Sequence, residues 1–176
     1  MENKPYYTAI VALSIDGKIA QKIHHMSDWT SPEDKKHLHQ ILDQAEVIVV
    51  GNTTYTLARK PLSKRNCIVL TRSVTNNMKV NEKLLLCNPN VQPLKVIIRE
   101  LKYKNVCILG GTQTYSHCLT NNLIDELFIT IEPIIFGDGL PLFSLPHKCK
   151  WKLKRVTTLN TNGTLLIQYT KEKITL

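Results

Sequence analysis

Residues 106–115 read VCILGGTQTY. An apolar, β-branched run stops at Gly110-Gly111, and Thr112 and Gln113 then open a helix that includes Tyr115. Two glycines let the backbone approach a ligand without Cβ obstruction. The first turn of the following helix offers free N–H groups and the positive end of its dipole, which suit a phosphate. The same dipeptide also serves in a plain βα turn, so the rest of the chain has to decide between the two. Two other stretches have comparable chemistry. Gly51-Asn52-Thr53-Thr54 follows the apolar run EVIVV, and Thr71-Arg72-Ser73 follows CIVL. Ligands of open α/β sheets sit outside the C-terminal ends of parallel strands. Three polar or glycine-bearing ends on one sheet edge point to a phosphate-rich ligand. Arg72 has the right chemistry for a ribose phosphate, although an arginine in an exposed turn needs no such reason.

The elements that must position these residues are legible in order. Residues 6–14 (YYTAIVALS) form a continuous apolar run, as in a strand buried on both faces, and Asp16-Gly17 ends it with a turn. Residues 18–29 show no periodicity, a loop long enough to need a reason. Ser31-Pro32-Glu33-Asp34 is a helix start with Ser31 at the N-cap and Pro32 at N1. Leu38, Ile41, Leu42 and Ala45 then form one apolar stripe. Strands are expected at 46–51, 67–70, 84–87 and 106–109, with a basic connector at 59–65. Helices are expected at 91–102, with Pro93 in the first turn, and at 114–121. A long strand is expected over 124–136, with Pro133 marking a bulge or edge. Residues 151–159 and 164–170 alternate around Asn162-Gly163, a hairpin signal. The reading is one α/β domain over residues 1–176, with a mostly parallel central sheet flanked by helices and a C-terminal antiparallel hairpin.

The 176 residues suffice for one unstapled core, and 43% hydrophobic content describes a soluble globular chain. The first apolar run is too short to span a bilayer and no leader-like pattern precedes it, so the expectation is a cytoplasmic protein. Cys67, Cys87, Cys107, Cys118 and Cys149 are odd in number and widely spaced, and the six histidines add no ligand spacing. Buried reduced thiols are expected, and no metal site. The net charge of +9 suits either nucleic acid or a small phosphorylated ligand. The basic residues are scattered or, at 148–155 and 171–173, alternate with apolar ones or trail off, and no nucleic-acid motif is present.

With these pieces in order, the chain resembles the dihydrofolate reductase-like superfamily, in particular the reductase domain of riboflavin-biosynthesis enzymes and its stand-alone relatives. The resemblance rests on SIDGKIA at 14–20, WTSPED at 29–34, VVGNTT at 49–54, ILGG at 108–111 with Tyr115, LIDEL at 123–127 and IEPIIFGDGLPLF at 131–143. It implies an NADPH-dependent oxidoreductase acting on a pyrimidine or pterin. Gly110, Gly111, Thr112 and Gln113 would meet the pyrophosphate, with Thr53 and Thr54, next to Gly51, on its other side. Thr71, Arg72 and Ser73 would meet the adenosine 2′-phosphate. Ala12, Ile19 and Ala20 would line the nicotinamide, under a mobile lid at 18–29 that excludes water. Ser14 and Trp29 would face the substrate. Asp34 matches the carboxylate that assists protonation of a C=N bond, which burial would suit by raising its pKa; Ser31 and Asp34 are equally a good capping pair. Thr130 aligns with the residue supporting that carboxylate. Arg65 matches the arginine that grips the glutamate tail of folate, or is simply a basic loop residue.

The riboflavin-pathway reductases commonly have Asp-Asp-Pro after the second strand, where residues 56–61 read TLARKP, and a glutamate where Leu109 stands. A deaminase zinc signature is absent. Riboflavin-type and folate-type substrates both stay open, as does a non-catalytic module that binds nucleotides or nucleic acid. Relatives in the riboflavin branch are usually dimers, which carries over only as analogy.

Overall fold

The structure, a computed structural model, describes residues 4–144 and 147–172; the start of the N-terminal segment and Lys173 of the C-terminal basic group lie outside them. The longest apolar run of the first half becomes strand β1 (Tyr6–Ser14). Its inward residues split between two cores: Tyr7, Ala9 and Val11 enter one, and Ile10 enters the other. A strand with a core on each face carries no polar alternation, which is why this run is continuously apolar. The same holds for β3 (Val47–Gly51) and β4 (Cys67–Leu70), in which Val47–Val50 and every residue of β4 are buried.

Between β1 and β3 come β2 (Lys18–Ala20) and helix α1 (Pro32–Gln44). After β3 follow α2 (Asn52–Leu57) and α3 (Arg59–Leu62). Beyond β4 lie β5 (Met78–Asn81), β6 (Leu84–Cys87), α4 (Leu94–Glu100), β7 (Asn105–Ile108) and α5 (Thr112–Thr120). The chain closes with β8 (Glu126–Glu132), β9 (Leu140–Pro141), β10 (Trp151–Thr158) and β11 (Leu165–Lys171).

Nine strands form one sheet in the order β10-β11-β8-β1-β7-β3-β4-β6-β5. The centre, from β8 to β6, is parallel, and β11 and β10 extend it antiparallel as the Asn162-Gly163 turn requires. Helices pack on both faces, so the expected α/β domain is found. The opposite edge adds an antiparallel pair that the sequence reading lacked. Strand β5 is exposed throughout, Met78 and Val80 included, and only its pairing with β6 makes it a strand.

Element ends differ from the expected ones for local reasons. Helix α4 begins after Pro93 instead of at 91, because a proline disfavours helical geometry in the residue before it. It stops short of Lys102, whose φ of 61° is left-handed. Strand β8 ends at Glu132, so Pro133 lies past the ladder rather than in a bulge within it. Helix α5 starts directly after Gly111, two residues earlier than expected. The basic connector contains α3, and the aperiodic segment 18–29 contains β2 and a 3-10 turn at Ser27–Trp29. Strand β2 pairs with β9, which anchors the base of that segment. At this junction a Cβ on Gly139, whose φ is +150°, would stand 2.4 Å from the Ala20 carbonyl oxygen. Gly139→Ala should therefore open the β2–β9 pairing, read as faster amide exchange at residues 18–25 with little change in the central strands.

Four of the cysteines are buried and Cys149 is half-buried, all as free thiols. Burial pushes the thiols of Cys67 and Cys87 up to about 11, and those of Cys107 and Cys118 up to about 12. They pack as small apolar side chains. Among the described residues, no helix is long and apolar enough to cross a membrane, and no group of three or more His, Cys, Asp or Glu could hold a metal ion.

Candidate active site

The ends of β3, β4 and β7 do converge. The Gly51 N–H donates to the Gly110 carbonyl at 2.7 Å, the Leu109 N–H to the Val49 carbonyl at 2.9 Å, and the Thr71 N–H to the Cys87 carbonyl at 2.9 Å. Along this rim runs a cleft of about 1100 Å³, larger than a site for one drug-sized molecule requires. Its walls include Gly51, Thr53, Thr54, Thr71, Arg72, Gly111, Thr112, Gln113 and Tyr115, together with Ala12, Ile19, Ala20, Trp29 and Asp34. Residues 22–27 and Trp29 form the outer wall, where Trp29 meets the Phe136 ring edge-on with centroids 5.0 Å apart.

The glycine pair acts through packing as well as through access. The peptide between Gly110 and Gly111 is cis. A Cβ on Gly110 would lie 2.7 Å from the buried Tyr115 ring, and one on Gly51 would lie 2.8 Å from Thr114 Oγ1. Gly110 itself is thus held behind the rim, while Gly111 faces the cleft. Gly111 is also the N-cap of α5 and offers no side-chain cap, so the first helical N–H groups have no side-chain acceptor there. That is the condition under which a helix N-terminus accepts an anion. Arg72 is exposed on the cleft and, among the described residues, has no carboxylate within ion-pair distance. Lys22 and Lys35 line the same cavity.

Asp34 is 5% exposed yet borders the cleft. Burial raises its pKa above the ordinary carboxylate value, and the nearby Glu132 carboxylate adds to the rise. The hydroxyls of Thr130 and Thr30, then the His37 imidazole, oppose it. Thr130 is fully buried on the facing strand, and its hydroxyl has no hydrogen-bond partner of ordinary geometry among the described residues, although it lies close enough to influence Asp34. The capping question has a geometric answer. Ser31 does cap α1, its hydroxyl accepting the Asp34 N–H at 3.2 Å. The reciprocal bond of a capping box is absent, because the Ser31 N–H goes to Glu132 Oε1 at 2.7 Å. The Asp34 side chain is therefore not used up at the helix end. A signal for this was available: Asp34 stands four residues before Leu38, on the stripe that continues through Ile41, Leu42 and Ala45.

Several expected site residues are placed elsewhere. Arg65 does not reach the cleft; it donates to the Leu42 carbonyl at 2.9 Å and to Asp43 Oδ1 at 2.5 Å, pinning the end of α1. Ser14 is buried away from the cavity, its hydroxyl accepting the Lys18 N–H at 2.9 Å across the β1–β2 turn. Ser73 stands off the lining and bonds back to Thr71 Oγ1 at 2.8 Å. Tyr115 lines the cleft with its ring, but its hydroxyl is committed to the Ile10 carbonyl. Thr112 spends its hydroxyl on the Pro141 carbonyl at 2.6 Å, leaving its backbone N–H for a ligand. The cleft also contains residues the sequence reading passed over. Pro89 and Asn90 reach it from the turn after β6, His117 from α5, and Leu57, Ala58 and Pro61 form an apolar wall.

A mixed sheet of this order, with a cleft across the C-terminal ends of its parallel strands and a buried carboxyl beside it, defines an α/β domain with a candidate ligand site on that edge. The chain belongs to the family described as the RibD C-terminal domain, which matches residues 5–165. It is 26% identical over 153 residues to the uncharacterized protein YwjB of Bacillus subtilis, covering 82% of this chain and 86% of that one. It is 25% identical to the riboflavin biosynthesis protein RibD of Aquifex aeolicus, covering 90% of this chain but 56% of that protein. A structure of a riboflavin biosynthesis protein from Shewanella sp. PV-4, described as putative, superposes with a TM-score of 0.77 at 24% identity, covering 96% and 99% of the two chains. At that identity the superposition establishes the fold.

Proposed function

We propose that this protein is an NADPH-dependent reductase acting on a small pyrimidine or pterin, of the riboflavin-pathway type. The observation that carries the reading is one cleft bordered both by an uncapped helix N-terminus with an unpaired arginine and by a buried carboxyl with a raised pKa. The residues fit the coenzyme. Gly111 leaves the backbone of α5 open, the backbone amides of Thr112 and Gln113 suit a pyrophosphate, and Arg72 suits a 2′-phosphate. Thr53 and Thr54 border the same space, Thr71 steadies the loop that carries Arg72, and Ala12, Ile19 and Ala20 provide an apolar wall for a flat ring. When bound, NADPH would supply the hydride. Asp34 holds a proton close to the C=N nitrogen of the substrate, where hydride addition at carbon requires it. Trp29 and residues 22–27 shield the reacting atoms from water.

A bifunctional relative from Thermotoga maritima is named as a deaminase and 5-amino-6-(5-phosphoribosylamino)uracil reductase, and this chain covers 57% of it. That reaction is the first to assay. The withdrawal of Arg65 from the cleft removes the arginine that a folate tail would need, which favours the pyrimidine over dihydrofolate. The test is oxidation of NADPH followed with each compound side by side. Turnover of the pyrimidine supports the reading; faster turnover of dihydrofolate would replace it with the folate type; turnover of neither would exclude both.

Arg72 gives a separate check on the coenzyme. Arg72→Ala should weaken NADPH about ten- to a hundredfold, as loss of a charge-assisted phosphate contact does, and leave NADH unchanged. Quenching of Trp29 fluorescence reads both. Equal weak binding of the two coenzymes by the parent protein would sink the assignment, and salt-sensitive oligonucleotide binding would turn it toward a basic module.

A further inference from the structure

A second buried carboxylate stands beside Asp34. Glu132 is 4% exposed, and it lies two residues beyond Thr130 on β8, so both side chains project from the same face of the strand. Its Oε1 accepts the Ser31 N–H and its Oε2 accepts the Thr164 hydroxyl, each at 2.7 Å. Both contacts use it as an acceptor. Among the described residues no Lys, Arg or His lies within ion-pair distance of it. A buried, uncompensated carboxylate is costly to keep.

Its place explains what it does. In an ordinary capping box the residue at the third helical position reaches back to the N-cap N–H. Here that residue is Asp34, and a carboxylate from another strand, 101 positions along the chain, takes the N–H instead. We propose that Glu132 is a positioning residue for Asp34: it caps α1 in place of Asp34 and leaves the Asp34 carboxyl in the cleft, with a second carboxylate buried nearby. This rests on the reading of Asp34 as the proton-holding group. The groups facing Asp34 are Thr130 and Glu132 from β8, Thr30 from the segment before α1, His37 from the next turn of α1, and Tyr115 from α5. Among them Glu132 favours the protonated acid, whereas the two threonines and His37 favour the ionised form. Burial holds the His37 imidazole below its ordinary pKa, and the Asp34 carboxylate opposes that shift.

Three variants separate position from charge. Glu132→Gln retains an oxygen for the Ser31 N–H and removes the charge. Glu132→Asp retains the charge on a shorter arm, and Glu132→Ala removes both. With the like charge gone, Asp34 releases its proton at lower pH. Glu132→Gln should therefore keep kcat within about twofold of the parent well below the Asp34 midpoint and lose about three- to tenfold well above it, with coenzyme affinity unchanged. Glu132→Asp should retain the parent pH profile, and Glu132→Ala should lose activity at every pH. The carboxyl carbon of Asp34, titrated by NMR in the whole protein without substrate, provides a readout independent of turnover. Its midpoint should move down in Glu132→Gln and hold in Glu132→Asp. An unmoved midpoint in Glu132→Gln overturns the role of Glu132 even if the protein proves to be a reductase. A shifted midpoint in a protein that reduces nothing supports the coupling and overturns only the reductase reading. A uniform fall of activity across pH in Glu132→Gln would also overturn the proposal, leaving Glu132 as a structural cap.

Discussion

Asp34→Asn should lower kcat by about 10²–10⁴-fold, the range associated with losing a general acid, while coenzyme affinity stays within about twofold. The amide fills the same volume and faces the same threonines, but it carries no acidic proton. The sign of the stability effect is the more telling part. The pKa of Asp34 is raised in the folded protein, so the folded state holds the proton more tightly than the unfolded chain does. Stability then falls as pH rises from the unfolded value through the folded one, and above that window the ionised carboxylate is a net cost. Asparagine resembles the protonated form. Near neutral pH the variant should melt at the same temperature as the parent or higher, and the difference should vanish in acid. The Ser31 hydroxyl still accepts the N–H of residue 34, so the helix cap survives the change. If kcat holds and stability instead drops by about 1 kcal/mol, Asp34 is a capping residue and the proposed chemistry falls.

Gly110→Ala should be the most damaging small substitution on the rim. With φ at +95°, the site disfavours any L side chain, and the new Cβ would press on the buried Tyr115 ring from 2.7 Å. That ring cannot retreat freely, because its hydroxyl is tied to the Ile10 carbonyl in the core. The carbonyl of Gly110 is also the acceptor that joins the ends of β7 and β3. Positive-φ strain and overpacking each cost about 1–3 kcal/mol, so a loss of about 2–6 kcal/mol is expected in denaturant unfolding, along with at least tenfold weaker NADPH. The contrasting Gly163→Ala, where φ is +92° but nothing lies within 4 Å of the added Cβ, should lose only the backbone part and leave the cleft intact. Equal losses in the two variants would mean that the Tyr115 contact contributes nothing.

Much of the candidate site was legible because its parts are local. Gly110-Gly111, Gly51 and Thr71-Arg72 sit just after apolar runs that could only be buried strands, and strand ends of a parallel sheet share an edge. The start of α1 was readable from Ser31 and Pro32. Reading failed where a side chain had a choice of distant partners. Arg65 looked free in a basic loop, yet Asp43 and the end of α1 claim it. Ser14 looked like a substrate contact, yet its hydroxyl closes the turn onto Lys18, four positions on. Strand β5 is only four residues long, too short for its alternation of Met78 and Val80 with Lys79 and Asn81 to stand out, and its residues gain their ladder only when β6 arrives alongside.

The chain's own pattern of apolar runs, turn glycines and helix caps determined the α/β domain, the order of its elements and the edge on which a ligand would sit. Those features depend on backbone dihedrals and on a burial period of a few residues, both of which are properties of short stretches. Only the tertiary structure decided which carboxylate is free to act. Ser31, Asp34 and Glu132 come together across 101 positions of sequence, and no local rule states which oxygen takes a given N–H once several can reach it.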